Sequence, residues 1–279
     1  MALPLFFLED GFDTTELVQS LADGNVVACA FPKEEIKHMS VLRISKGEHI
    51  AVADGRGLAI EAEYEGVPDK DFQGNAVWPG KGAELRLLRA IGEFPLPYRP
   101  NLTLVQGVSK GERMNLLTRQ CVELGVRRII PAMTARCIVK LEGDKRESRA
   151  ERLRAIALSA AKQSGQPVVP EVLTPMDFDD AVEMAKNEAD VIVIPWEESH
   201  DGSIADVLRD VPTDSNVFLF IGPEGGFEKY EVDSVVAIGG KVVSLGDTIL
   251  RTETAGTIAS ALAIYELGGL GNSGRRING

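Results

Sequence analysis

Two glycine loops carry the residues with the clearest chemical potential. The first segment, Phe218-Leu-Phe-Ile-Gly-Pro-Glu-Gly-Gly-Phe227, is an apolar run that ends in Gly222-Pro223-Glu224-Gly225-Gly226. Such a run reads as a strand covered on both faces. The loop after it then presents backbone amides and carbonyls at the carboxyl end of a parallel sheet, where α/β folds take ligands. The second segment, Ser244-Leu-Gly-Asp-Thr-Ile-Leu-Arg-Thr-Glu-Thr-Ala255, again passes from a strand through a glycine loop, and it opens a helix beside Arg251 and Glu253. Ala255, Ala259 and Ala263 form a small stripe on that helix, at a spacing that places them on one face and permits close backbone approach. The plain alternatives are a strand-to-helix turn without a ligand for the first segment, and a buried helix with a surface Arg251–Glu253 pair for the second.

Other chemistries find little support. Gly269-Leu-Gly-Asn-Ser-Gly274 has dinucleotide-fingerprint spacing but follows a helix and ends five residues before the last residue, so no helix N-terminus can face a pyrophosphate. There is no G-x-x-x-x-G-K-[ST] segment. Cys29, Cys121 and Cys137 are odd in number and lack Cys-x-x-Cys spacing, and His38, His49 and His200 are scattered. Neither a disulfide framework nor a zinc knuckle is expected; the reading is no metal and a reduced, cytoplasmic compartment.

The elements that position these loops change character along the chain. Over the first ninety residues, Gly47–Ile50, Ala51–Ala53, Leu58–Tyr64 and Gly82–Ile91 read as short strands punctuated by glycine, predicting a small barrel. Glu93–Pro100 holds three prolines and marks the boundary between a domain of 1–92 and one of 93–279. Beyond it, strands at Leu102–Val105, Ile129–Pro131, Val191–Ile194, Val217–Ile221 and Lys241–Leu245 alternate with helices at Glu112–Leu124, Arg146–Ser164, Tyr230–Ile238 and Thr254–Leu267. That alternation predicts an α/β parallel sheet. The glycine-rich end, 268–279, reads as a flexible tail.

The chain has 279 residues, 44% of them apolar, and no apolar stretch long enough to span a bilayer. The Met-Ala-Leu-Pro start has no basic lead, so neither a signal peptide nor a membrane role is expected. A net charge of −12 argues against a nucleic-acid partner when taken whole, because phosphate binding needs cationic surface. Its distribution reverses that conclusion. Residues 99–154 carry thirteen Lys/Arg and six Asp/Glu, a net +7, while the other 223 residues carry −19.

Taken together, I-G-P-E-G-G and S-L-G-x-x-I-L-R-T-E-T-A resemble the SPOUT superfamily of S-adenosylmethionine methyltransferases, and within it the RsmE family that methylates uracil N3 in 16S ribosomal RNA. Ser109-Lys-Gly-Glu-Arg-Met114, Glu123-Leu-Gly-Val126 and Thr134-Ala-Arg-Cys137 are similar to that family's basic block. His38, Val41-Leu-Arg43 and Asp54-Gly55 are similar to its N-terminal PUA-like RNA-binding domain. The resemblance implies a PUA-like β-barrel joined to a parallel sheet with a deep trefoil knot. It also implies a homodimer that acts on 16S rRNA within the small ribosomal subunit.

Carried over residue by residue, the resemblance makes Ile194, Pro195 and Trp196 the first loop for S-adenosyl-L-methionine. Ile221, Gly222, Pro223, Glu224, Gly225 and Gly226 form the second, and Leu245, Gly246, Ile249 and Leu250, followed by Thr254 and Ala255, the third. The charge split makes Lys110, Arg113, Arg136 and Arg149 of the +7 block phosphate-facing candidates, and His38, Arg43 and Gln163 complete the expected RNA contacts. The small stripe would meet the partner subunit.

Three departures touch the RNA side. Lys162-Gln-Ser-Gly-Gln166 stands where the family shows Glu-Gln-Ser/Cys-x-Arg, Thr134-Ala-Arg136 replaces Ser-Glu-Arg, and no charge occurs in positions 1–8. A sulfonium methyl is already activated, so catalysis needs alignment of the displacement and a nucleophilic uracil N3. Arg251 is placed to stabilise the deprotonated ring, and Glu253 or water to take the proton. The competing reading is a ribosome-assembly RNA-binding protein that kept the fold without catalysis, or a SPOUT enzyme for another RNA position.

Overall fold

The computed structural model describes residues 3–9, 14–21, 26–66, 82–91, 100–199 and 202–270. Nearly all of the Glu93–Pro100 boundary and most of the 268–279 tail lie outside them. By their contacts the described residues fall into two compact units.

The first unit contains Leu5–Phe7 (β1), Thr14–Leu21 (α1), Val26–Ala30 (β2), Lys33–Leu42 (α2), His49–Ala53 (β3), Ala59–Gly66 (β4) and Gly82–Ala90 (β5). Its sheet has the order β1-β3-β4-β5-β2, with β1 parallel to β3 and the other pairs antiparallel. Just past β1, the Glu9 amide donates to the Ala30 carbonyl at 3.0 Å, which brings the two outer strands together and turns the sheet toward a barrel. Phe6, Leu17, Ile50, Ile60 and Leu85 fill its core.

An all-strand reading of this region missed α1 and α2. The second of these has Glu34 and Glu35 in its first turn, where the helix dipole favours carboxylates, and it ends at Arg43 in the left-handed conformation with φ 56. The two expected strands Gly47–Ile50 and Ala51–Ala53 are one, β3, which begins at His49 after a turn at Gly47.

The second unit contains Asn101–Gly107 (β6), Arg113–Leu124 (α3), Arg128–Met133 (β7), Asp144–Ser164 (α4), Glu171–Val172 (β8), Met176–Asp177 (β9), Phe178–Glu188 (α5), Val191–Pro195 (β10), Ile204–Leu208 (α6), Asn216–Ile221 (β11), Lys229–Ala237 (α7), Lys241–Val243 (β12) and Thr252–Glu266 (α8). The expected parallel sheet is present, in the order β12-β10-β11-β6-β7-β8 with β9 also on β7. Val105, Ile130, Ile194, Phe218 and Phe220 form its buried spine, and Phe178 and Phe227 pack on one face. This explains the unbroken apolar runs, since both faces of the sheet are covered. Helix α3 stops at Gly125, whose φ of 91 lets its amide reach the carbonyls of Cys121 and Val122.

The end of α4 departs from the sequence reading. Ala161–Val168 belong by contact to the first unit, although the 93–279 boundary assigned them to the second. Two local interactions account for this. Lys162 forms an ion pair with Glu35, which is almost completely buried, and Val168 bridges to Arg56. A buried carboxylate without a cation is costly, so Lys162 fixes that turn to α2.

Strand β12 is the sheet edge, whereas α8 packs on β6, β11, α3 and α6 near the centre. The connection Ser244–Arg251 must therefore come back past the end of β10, bringing the third loop beside the first two.

Candidate functional site

All three loops, two of them glycine-rich, converge on one cleft of about 820 Å³ in the second unit. Pro195 and Trp196 come from the end of β10; Ile221 to Gly226 from the end of β11; Leu245, Gly246, Ile249 and Leu250 from the return after β12. Arg251, Glu253 and Ala255 come from the start of α8. The volume lies in the range of small-molecule sites.

Close backbone approach explains the glycines. A Cβ on Gly222 would stand 3.0 Å from the Gly226 backbone, and Gly226 itself has φ +71 with Glu197 Oε1 2.5 Å from its Cβ position. The Gly226 amide donates to the Pro223 carbonyl at 3.0 Å and closes the turn. On the first loop, the Trp196 amide donates to the Val243 carbonyl at 3.0 Å, tying it to β12.

Two predicted cofactor residues sit elsewhere. Ile194 is wholly buried in the sheet core beneath the first loop, and Thr254 is exposed on α8 outside the cleft lining. Ile249 is in the lining and 88% exposed at its mouth.

Arg251 precedes α8, is exposed and makes no ion pair among the described residues. Glu253 pairs instead with Arg113, whose Nε lies 3.6 Å from Glu253 Oε2. The same guanidinium donates through Nη1 to Glu224 Oε1 at 2.6 Å, and the Lys110 amide donates to that oxygen at 2.9 Å. Partial burial works against the Glu224 charge, but its own amide, the Lys110 amide and the Arg113 guanidinium outweigh it and hold the carboxyl below its ordinary value. Arg113, expected on the RNA surface, is thus a member of the cleft.

The remaining RNA candidates are dispersed. Arg136 donates to Glu228 Oε1 and to the Gly225 carbonyl, each at 2.9 Å, so its fork braces the second loop. Glu228 first, and then Glu197 and Glu198, raise its guanidinium pKa against a desolvation cost. The Lys110 side chain is exposed without an ion pair among the described residues. Arg149 is half-buried and likewise unpaired, its pKa lowered by burial and then by Arg152. An unpaired guanidinium next to another cation gains from an incoming anion. His38, 4.0 Å from Glu35, and Arg43 lie on and after α2 in the first unit, and Gln163 is exposed on the last turn of α4.

The sequence reading missed Gln106, Glu197 and Thr252. Gln106 offered a signal, a polar residue that continues the apolar run of β6. Glu197 and Asp247 with Glu224 and Glu253 give the lining four carboxylates against the two guanidiniums of Arg113 and Arg251. That balance suits a ligand carrying positive charge. The small stripe is also corrected: Ala259 and Ala263 are 0% and 1% exposed within the single chain, so they pack inside it. The exposed apolar residues of α8 are Ile258, Leu262 and Tyr265.

Residues 97–264 match the family described as RNA methyltransferase domain, and residues 31–75 match the RNA methyltransferase PUA domain. The chain is 30% identical to ribosomal RNA small subunit methyltransferase E of Aquifex aeolicus (strain VF5), over 79% of this chain and 87% of that protein. It is 28% identical to the protein of the same name from Bacillus subtilis (strain 168), over 84% and 88%. A solved ribosomal RNA small subunit methyltransferase E from Neisseria gonorrhoeae, bound to S-adenosyl methionine, superposes with a TM-score of 0.71 at 30% identity, covering 93% of this chain and 96% of that one.

Proposed function

Because the chain belongs to the ribosomal RNA small subunit methyltransferase E family, we propose that it methylates N3 of a uridine in 16S rRNA from S-adenosyl-L-methionine, as a cytoplasmic homodimer. The observation that carries the reading is the convergence of the three loops on one cleft whose lining is rich in glycine backbone and carboxylates. Gly222, Gly225 and Gly226 let the second loop close tightly on itself, on Arg136 and on Glu197, and Glu197, Glu224 and Asp247 favour a cationic ligand.

S-adenosyl-L-methionine supplies a methyl group already activated on sulfur. The chain's own residues must then orient the base and stabilise its anion. Arg251 stands at the cleft with its guanidinium uncommitted, suited to the uracil oxygens. Glu253, two residues on and held toward Arg113, is the side-chain acceptor for the N3 proton, with water as the other. Lys110 and Arg149 are the phosphate-facing cations of the +7 block, and His38, Arg43 and Gln163 the contacts on the PUA side.

The return of the chain from β12 to α8 supports a trefoil knot at the third loop. Ile258, Leu262 and Tyr265 recur on one face of α8 and support a homodimer through that face. Mass spectrometry of rRNA nucleosides from cells with and without the protein tests the function. Loss of 3-methyluridine from 16S rRNA is expected, and an unchanged nucleoside profile would indicate an assembly protein without catalysis.

A further inference from the structure

Gln106 ends the apolar run of β6 and is completely buried. Its side-chain nitrogen faces three acceptors: the Gly107 carbonyl at 3.1 Å, the Gly222 carbonyl at 3.2 Å and Thr252 Oγ1 at 2.9 Å. Two of these are carbonyls, which only accept, so the amide must present nitrogen on this side. Thr252 Oγ1 then donates onward to the same Gly222 carbonyl at 2.6 Å. Three segments distant in sequence therefore meet at one oxygen: the end of β6, the second loop and the start of α8.

The surroundings are shaped to this junction. A Cβ on Gly107 would lie 2.4 Å from the Pro223 nitrogen, so the strand end abuts the second loop directly. A Cβ on Gly256 would lie 2.7 Å from Gln106 Oε1 and 2.6 Å from Leu117 Cδ1, so α8 carries a glycine where the amide packs. Gln106 Oε1 is itself buried without a hydrogen-bond partner among the described residues. An apolar side chain would avoid that desolvation cost, so packing alone does not account for an amide here.

We propose that Gln106 and Thr252 are positioning residues that fix the Gly222 peptide, and with it the second loop against the Arg251–Glu253 segment, in the orientation that binds the cofactor. This deepens the reading of the cleft as a site for S-adenosyl-L-methionine and rests on it. Gly222 is a cleft residue whose carbonyl is drawn backward into the protein, so the junction sets which way its peptide faces. Freed from its two donors, that carbonyl can swing about ψ of Gly222, and because the Pro223 ring fixes the next φ the second loop is carried with it.

Calorimetric titration of S-adenosyl-L-methionine into the full chain tests this. The unmodified protein binds. Thr252→Ser, which keeps the hydroxyl, stays within about twofold, and Thr252→Val, which keeps the shape, binds about tenfold more weakly. Gln106→Glu provides an independent arm. At pH 8 its ionised carboxyl has no proton to donate and repels the Gly107 and Gly222 carbonyls; at pH 6 burial keeps it protonated and binding recovers. The unmodified protein measured at both pH values corrects for Glu224, Glu253 and Arg113 in the same cleft. Unmodified affinity in Thr252→Val, or a defect in Gln106→Glu that ignores pH, overturns the positioning role. Should Thr252→Val fail to fold, the pH arm decides. Absence of binding by the unmodified protein overturns the reading of the cleft as well, which separates the two failures.

Discussion

Arg113 and Glu224 lie 2.6 Å apart, and through this pair the first residue of α3 holds the second glycine loop. Arg113→Ala should weaken S-adenosyl-L-methionine binding by roughly tenfold, with Arg113→Lys intermediate because it cannot fork between Glu224 and Glu253. The stability cost should be about 1 kcal/mol, because Arg113 is 43% exposed while the carboxylate it leaves behind, Glu224, is only 18% exposed. Glu224 has a depressed folded pKa, so its contribution is present above the ordinary value of 4.5 and lost as pH falls through the lower folded value. Unfolding curves of Glu224→Gln and the unmodified protein should differ at pH 7 and converge in acid.

Arg251 has no ion-pair partner among the described residues, so its removal should spare the fold. Arg251→Ala is expected to reduce single-turnover methyl transfer by roughly a hundredfold, by analogy with loss of an oxyanion donor. Cofactor affinity should change little. Partial rescue at alkaline pH, where more uracil is deprotonated, is the signature of anion stabilisation; a near-normal rate at neutral pH would remove Arg251 from the mechanism.

The basic block divides into free and committed cations. Lys110→Ala and Arg149→Ala should each lower the salt slope of RNA binding by about one unit. Arg136→Ala should leave that slope nearly unchanged and instead weaken cofactor binding, because its guanidinium braces Gly225 and Glu228. Filter binding over a salt series, paired with calorimetry, reads both effects.

Leu262 is 44% exposed between Ile258 and Tyr265 on α8. Leu262→Glu should convert the proposed dimer to monomer by light scattering without lowering the melting temperature of the chain itself by more than a few degrees. Ala259→Trp would act differently, by overpacking the interior where that residue is already buried.

Much of the second unit was legible in the sequence because its signals are local. The apolar runs of β10 and β11, the helical spacing of α3 with Gly125 after it, and the two glycine loops each state their role within a dozen residues. The first unit was less legible. Helix α2 is short and its two glutamates follow Pro32, a start signal that the surrounding strand pattern obscured. The cleft was readable as three loops but not as a charge network. Arg113 and Glu224 are 111 positions apart, and Gln106 and Thr252 are 146 apart, so only the fold brings each pair together. Residue type misled at Ala259 and Ala263, where small side chains suggested an approach by another subunit and serve packing within the chain.

The proposed reaction in this cleft is methyl transfer to uracil N3. Purified protein incubated with S-adenosyl-L-methionine labelled in the methyl group and with unmodified small ribosomal subunits or 16S rRNA, followed by digestion to nucleosides and mass spectrometry, measures it directly. Label recovered in 3-methyluridine, at a rate cut roughly a hundredfold by Arg251→Ala at neutral pH, is the predicted result. Label in a different nucleoside, or none in either substrate from protein that binds the cofactor, would contradict it.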